Sequence, residues 1–141
     1  MGSRQYRNDS KTAAEGIIFI DFSFMTNGTG AVVNAYTADG TAFRGLGVKS
    51  VTLGATGTFA VVLSDNFRWV ISKYSDMDDM AGDGAYATIG AITNEGTTSP
   101  IGCTIKTWTA GGVATNFGTG GTGVARRVSV AFTMKNSLAG V

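Results

Sequence analysis

Residues 16–25 have the sequence GIIFIDFSFM, and this stretch decides the fold class. One set of alternate positions is entirely apolar: Ile18, Ile20, Phe22 and Phe24. Because successive side chains of a β-strand point to opposite faces, this alternation predicts a half-buried strand. The pair Asn27-Gly28 follows, and it favours the tight turns that join antiparallel strands. The stretch therefore predicts one strand of an antiparallel sheet.

The same alternation recurs along the chain, and glycine-rich turns separate its segments. It predicts seven further strands, at residues 31–37, 48–53, 58–64, 67–74, 85–93, 101–109 and 124–135. No segment has the periodicity of a long helix, and a single helical turn is considered only at residues 76–81. Many short strands at this spacing are typical of antiparallel sandwiches and barrels.

We therefore expect an all-β fold, a single antiparallel β-sandwich or jelly roll of about eight strands. An immunoglobulin-like sandwich is the main alternative, but its Cys, Trp and Cys pattern is missing from a chain with one cysteine. Residues 1–15 are polar and basic with few apolar anchors, so we expect a flexible N-terminal arm there. Residues 16–141 would form the β-sandwich domain, with a long glycine-rich loop at 110–123.

The composition excludes several classes of function. The chain has no histidine, 15% charged residues and a net charge of +1. The lack of histidine rules out Ser-His-Asp and Cys-His catalysis and zinc sites that need imidazole. The small net charge gives no general attraction to nucleic acid or anionic membranes, and no apolar run approaches the ~20 residues that span a bilayer. We therefore expect no enzyme, no cofactor, no nucleic acid and no membrane partner.

The single cysteine, Cys103, lies in an apolar run. Buried thiols pack as small hydrophobic groups, so we expect a core residue and not a nucleophile. A lone cysteine cannot form an internal disulfide, which favours assembly inside a cell.

An acidic segment is the one candidate for cation binding. Its carboxylates are Asp76, Asp78, Asp79 and Asp83. Oxygen-rich loops bind calcium, but Met80, Ala81 and Ala87 stand where an EF-hand needs an oxygen ligand, Gly and Glu. A solvated loop between strands is the expected structure. The same acids would have to serve any lyase or hydrolase on this scaffold, but such chemistry needs two carboxylates that face each other across a cleft.

Several aromatic side chains are candidates for stacking on sugars: Tyr36, Trp69, Tyr74, Tyr86 and Trp108. Such residues more often fill a sandwich core or an oligomer interface. The alternative function is therefore a carbohydrate-binding module or receptor-binding tip that uses exposed aromatics, with Trp69 or Trp108 as the platform.

Three stretches carry a family resemblance: FMTNGTGA at 24–31, GTFAVVLSD at 57–65 and VSVAFTMKNS at 128–137, together with RQYR at 4–7. They resemble the small capsid decoration, or cement, proteins of tailed bacteriophages. The resemblance implies a jelly-roll-like fold, self-association into dimers or trimers, and binding over joints between major capsid subunits. It implies no catalytic residues, and it implies a place on the virion surface after assembly in the host cytoplasm.

Candidate interface residues lie at both ends of the chain. Arg4, Tyr6 and Arg7 would anchor the arm, because Arg and Tyr are enriched at binding hot spots. The last strand is the longest and is the candidate interface strand, since open sandwiches leave strand edges to be covered. Its candidate interface residues are Arg127, Val130 and Phe132.

Overall fold

A computed structural model describes residues 17–26, 43–45, 47–64, 66–67, 69–78, 82–118 and 126–135, with the backbone alone for 43–45. Its strands are β1 (Ile17–Met25), β2 (Phe43–Gly45), β3 (Val48–Leu53), β4 (Thr58–Leu63), β5 (Trp69–Met77), β6 (Tyr86–Thr93), β7 (Gly102–Trp108) and β8 (Arg127–Lys135). Seven of these strands have six to nine residues, and β2 has three. Within these ranges, no helix is present that could cross a membrane.

The strands form two four-stranded sheets. Sheet A has the order β2-β1-β8-β5 and sheet B the order β3-β4-β7-β6. Every pair of neighbours is antiparallel. The predicted antiparallel β-sandwich is therefore confirmed. The jelly-roll arrangement remains a prediction, because the two strand orders establish a sandwich of antiparallel sheets and no finer class.

The core lies between the two sheets and follows from the alternation in β1 and β8. Phe22 pairs with Val130 and Phe24 with Val128, so the apolar sides of the two strands share one face. These side chains are buried, and the Phe24 ring packs on Phe59 of sheet B with ring centroids 5.3 Å apart. Inner faces of stacked sheets interdigitate in this way in sandwiches. The core position expected for Cys103 is also confirmed.

A β-bulge in β5 breaks the expected alternation of the fifth strand. The pairing with β8 slips between Val70 and Ser72, which leaves Ile71 as an extra, half-exposed residue. A bulge reverses the face of every later side chain in the strand, so Met77 ends in the core. The strand ends at Met77, whereas the sequence predicted an end at Tyr74. Asp76 and Met77 are therefore in a strand, and the helical turn considered at residues 76–81 is wrong for these two residues.

Two further differences concern the region after β1. The strand predicted at 31–37 lies outside the described residues. The short strand β2 was not predicted, because three residues are too few to show a period of two.

One long side of the sandwich is closed by hydrogen bonds from side chains to backbone. We call this side the β5–β6 seam. Lys73 Nζ donates to the Gly90 carbonyl (3.0 Å), and Ser75 Oγ donates to the Ala87 carbonyl (3.2 Å). At the start of β5, the Val70 N–H donates to the carboxylate of Glu95 (2.6 Å). These bonds satisfy backbone groups that edge strands would otherwise present to another chain.

Candidate functional site

The outward side of sheet A is the candidate functional site. Alternate residues of β1, β8 and β5 point away from the core, and residues opposite each other in the register share this face. We call it the sheet A outer face. Its members are Ile17, Phe19, Asp21, Ser23, Met25, Trp69, Ser72, Tyr74, Asp76, Arg127, Ser129, Ala131, Thr133 and Lys135.

Large apolar side chains are exposed on and beside this face. Phe19 is 75% exposed and Tyr74 is 61% exposed. Ile17 and the bulged Ile71 are also exposed, so four of the six large exposed apolar side chains in the described residues belong to β1 and β5. Contiguous exposed apolar area of this kind marks surfaces that bind another molecule.

A shallow depression of about 370 Å³ lies in the middle of the sheet A outer face. Its floor consists of the small residues Ser129 and Ala131 of the central strand β8, and its sides include Asp21, Ser23 and Tyr74. Asp21 and Tyr74 are exposed, and Ser23 and Ser129 are half-buried. The depression combines an acid, hydroxyls and an aromatic ring.

The structure corrects the roles predicted for two residues of β8. Val130 and Phe132 are each 2% exposed and pack in the core, where a partner cannot reach them. β8 also lies between β1 and β5, so both of its backbone edges are already paired. Arg127 is exposed on the outer face, as an interface role requires.

The predicted arm residues Arg4, Tyr6 and Arg7 lie outside the described residues, and so does the whole segment 1–15. Their interface role stays a prediction.

The acidic residues are separated by the fold. Asp76 is exposed on β5, and Asp78 follows that strand, with its N–H donating to the Arg127 carbonyl (2.9 Å). Asp83 forms an ion pair with Arg126 at 2.6 Å, and Asp79 lies outside the described residues. Across the described ranges, no group of three or more metal-ligating side chains is present.

Arg126 is a structural arginine that the sequence pattern did not reveal. It is 1% exposed, and its guanidinium lies 5.2 Å from the centre of the Phe117 ring in addition to its bond with Asp83. Its backbone exchanges two hydrogen bonds of 2.8 Å with Thr26, at the end of β1. Arg126 therefore ties the end of β1 and the start of β8 to the loops that carry Asp83 and Phe117. In the sequence, Arg126 is the neighbour of Arg127 within the predicted strand 124–135 and has no further distinguishing signal.

The tryptophans predicted as sugar platforms lie on opposite faces of the sandwich. Trp69 is partly buried on sheet A, where Lys135 Nζ is 6.0 Å from the ring centre. Trp108 stacks on Tyr86 of sheet B with centroids 6.4 Å apart and planes at 21°, and its Nε1–H donates to Thr88. Tyr36 lies outside the described residues. Among the described residues, Tyr86 and Trp108 therefore form a stacked aromatic pair on the outward side of sheet B.

The thiol of Cys103 is unsuited to nucleophilic chemistry. Burial raises the pKa of the Cys103 thiol to about 12, and the charge of Lys73 opposes this shift only in part. Reactive cysteines need a lowered pKa and access to solvent. The structure therefore assigns Cys103 to the core.

In comparisons with known proteins, no family model, curated protein or solved structure matches the chain.

Proposed function

We propose that this chain is a structural protein without catalytic activity that binds the outside of a phage capsid and cements neighbouring major capsid subunits. The observation that carries this proposal is the sheet A outer face, where Phe19 is 75% and Tyr74 61% exposed. The resemblance of residues 24–31, 57–65 and 128–137 to capsid decoration proteins supports the same function.

The composition of this face suits a protein partner. The centres of protein interfaces are enriched in aromatic side chains and depleted in charged ones. Here the aromatic rings of Phe19 and Tyr74 flank a strip of small residues on β8, and a flat protein surface can cover both. Tyrosine in particular is frequent at binding hot spots.

The partners in this proposal are the major capsid protein and other copies of the chain, as a dimer or trimer on the virion surface. Linking several modest contacts in one oligomer raises the total affinity, since each later contact forms at a high effective concentration. The proposal includes neither a nucleic acid nor a membrane, and no cofactor.

Co-sedimentation with capsid shells of the source phage, stripped of this protein, tests the proposal. We expect saturable binding at a fixed ratio to the capsid subunit. Phe19→Ser and Tyr74→Ala should each weaken binding at least about tenfold, because truncating a hot-spot residue costs about 2 kcal/mol or more and about 1.4 kcal/mol is tenfold in affinity. Val113→Ser is the matched control, since Val113 is an exposed apolar residue outside sheet A. Absence of binding by the unmodified protein, or equal effects of all three changes, would contradict the proposal.

A carbohydrate-binding function is the second candidate, and the stacked Tyr86 and Trp108 rings on sheet B favour it. Thr88 and Lys106 lie beside them and offer polar groups for sugar hydroxyls. Titration with cellohexaose should then change the tryptophan fluorescence, and Tyr86→Ala should remove the change. A flat titration together with capsid binding would reject this candidate.

A further inference from the structure

We propose that the depression on the sheet A outer face binds an arginine side chain presented by a partner protein. This inference rests on the proposed function, because the depression lies in the face that would dock on the capsid. It goes further in naming the chemical group that the face recognises.

A single row of residues across three strands forms the centre of the depression. Asp21 pairs with Ala131, and Ala131 pairs with Tyr74, so a carboxylate, a methyl group and a phenol ring face outward side by side. Neighbouring strands are about 4.8 Å apart, so the backbones of Asp21 and Tyr74 are separated by about 10 Å. A planar group that lies over Ala131 would reach both side chains.

The guanidinium group matches the chemistry of this row. A carboxylate such as that of Asp21 accepts two parallel N–H bonds from arginine, and the exposed face of Tyr74 attracts the same cation. The hydroxyls of Ser23 and Ser129 line the depression and can accept further N–H bonds. Lysine offers a point charge without the planar fork, so it would fit less well.

The charged side chains nearest the depression are carboxylates, which favour a cation. Asp76 lies on the same face one row from Tyr74 and adds a second carboxylate near the depression. In the part of the chain that the structure describes, neither Asp21 nor Asp76 forms an ion pair, and the one salt bridge there joins Arg126 to Asp83. The Asp21 carboxylate is therefore available to an incoming positive group, and the two cations named on this face, Arg127 and Lys135, lie towards its opposite ends.

The surroundings favour a side chain on a protein over a free small molecule. The depression is shallow and open, so it would leave most of a free ligand in water. Exposed apolar side chains continue along β1 from Asp21, with Phe19 in the next row of the outer face and Ile17 in the row after it. A protein surface that inserts one arginine would bury these side chains at the same time, whereas a sugar or a free cation would leave them exposed.

Nuclear magnetic resonance titration of the full chain with N-acetyl-arginine amide tests the inference. We expect chemical shift changes centred on Asp21, Tyr74 and Ala131. N-acetyl-citrulline amide, the neutral isostere, should bind at least tenfold more weakly, and Asp21→Asn should lose a similar factor. Asp78→Asn is the matched control, since Asp78 is an exposed acid beyond the end of β5. Equal binding of the two probes, or unchanged shifts at Asp21 and Tyr74, would overturn the inference.

A second variant tests for an internal occupant. Arg44 pairs with Ser23 in the backbone register, which places it on the strand beside Asp21. If Arg44→Ala raised the affinity for N-acetyl-arginine amide tenfold, the chain's own arginine would fill the depression and the inference would be wrong. If Asp21→Asn dissociated an oligomer of the chain in sedimentation equilibrium, a second copy of the chain would occupy the depression. That result would also overturn the inference.

The capsid co-sedimentation and the titration with N-acetyl-arginine amide together separate this inference from the proposed function. Loss of capsid binding in Phe19→Ser with no binding of N-acetyl-arginine amide would leave the capsid function standing and reject the arginine site. Binding of the probe without binding to capsids would reject the capsid function and retain the site.

Discussion

At the scale of single residues, the ion pair between Asp83 and the buried Arg126 joins parts of the chain that are far apart in sequence. Asp83→Ala removes the charged partner of a buried guanidinium, and Asp83 is itself half exposed. We therefore expect a loss of about 1–3 kcal/mol in the free energy of unfolding, below the range for fully buried pairs. Asp78→Ala, an exposed acid, should change it by less than about 0.5 kcal/mol. Chemical denaturation measures both, and equal losses would show that the ion pair contributes nothing.

The Cys103 thiol gives a second prediction at this scale, a dependence of stability on pH. Its pKa is 9.0 for a free thiol and about 12 in the fold. Above pH 9 the unfolded chain releases this proton while the folded chain keeps it, so the contribution to stability is complete below pH 9 and is lost as the pH rises towards 12. From pH 8 to 10, the stability advantage over Cys103→Ala should shrink by about 1.4 kcal/mol. If urea denaturation gave the same difference in the free energy of unfolding between the two proteins at pH 8 and at pH 10, this prediction would be contradicted.

At the scale of elements, the turn between β3 and β4 depends on Gly57. Its φ is +60°, and an added Cβ would lie 2.7 Å from the Thr115 nitrogen and 2.8 Å from the Thr107 carbonyl oxygen. Gly57→Ala must therefore displace the backbone of Thr107 or Thr115, and it also strains residue 57 itself, whose φ is unfavourable for alanine. Gly82 has nearly the same φ, +62°, with nothing within 4 Å of the added atom. We expect a loss of about 1 kcal/mol for Gly82→Ala from strain alone and at least 2 kcal/mol more for Gly57→Ala. Thermal denaturation compares them, and equal losses would mean that the close approach relaxes freely.

Strands were predictable where a single alternation extends over the whole element. The pattern in β1 identified the face on which Ile20, Phe22 and Phe24 are buried, and the β8 residues opposite them are apolar as well. It failed in β5, since the bulge at Ile71 depends on the pairing with β8 and has no local signal. In β8 the prediction of Val130 and Phe132 as interface residues was wrong, because the sequence alone does not show whether an apolar face packs on a second sheet or on a partner.

At the scale of the whole molecule, the candidate site is a property of the assembled sheet. Asp21, Ala131 and Tyr74 come from three strands and are neighbours only through the register. Tyr74 was identified from the sequence as an aromatic candidate, but Asp21 was not, because one acid in an alternating strand looks like any solvated residue. The two outer faces also differ, since sheet A carries the exposed apolar groups and sheet B the stacked Tyr86 and Trp108.

The central place of β1 beside β8 has a consequence for how the chain folds. Arg126 and Thr26 are 100 residues apart in sequence, yet the Thr26 N–H donates to the Arg126 carbonyl at the junction of these strands. A newly made β1 must therefore wait until almost the whole domain has left the ribosome before its main partner exists. Folding that depends on such distant pairing is slow, and apolar strands stay exposed meanwhile. The outer face of sheet A thus exists only after the last strand has docked, so incomplete chains lack the surface that we propose for capsid binding.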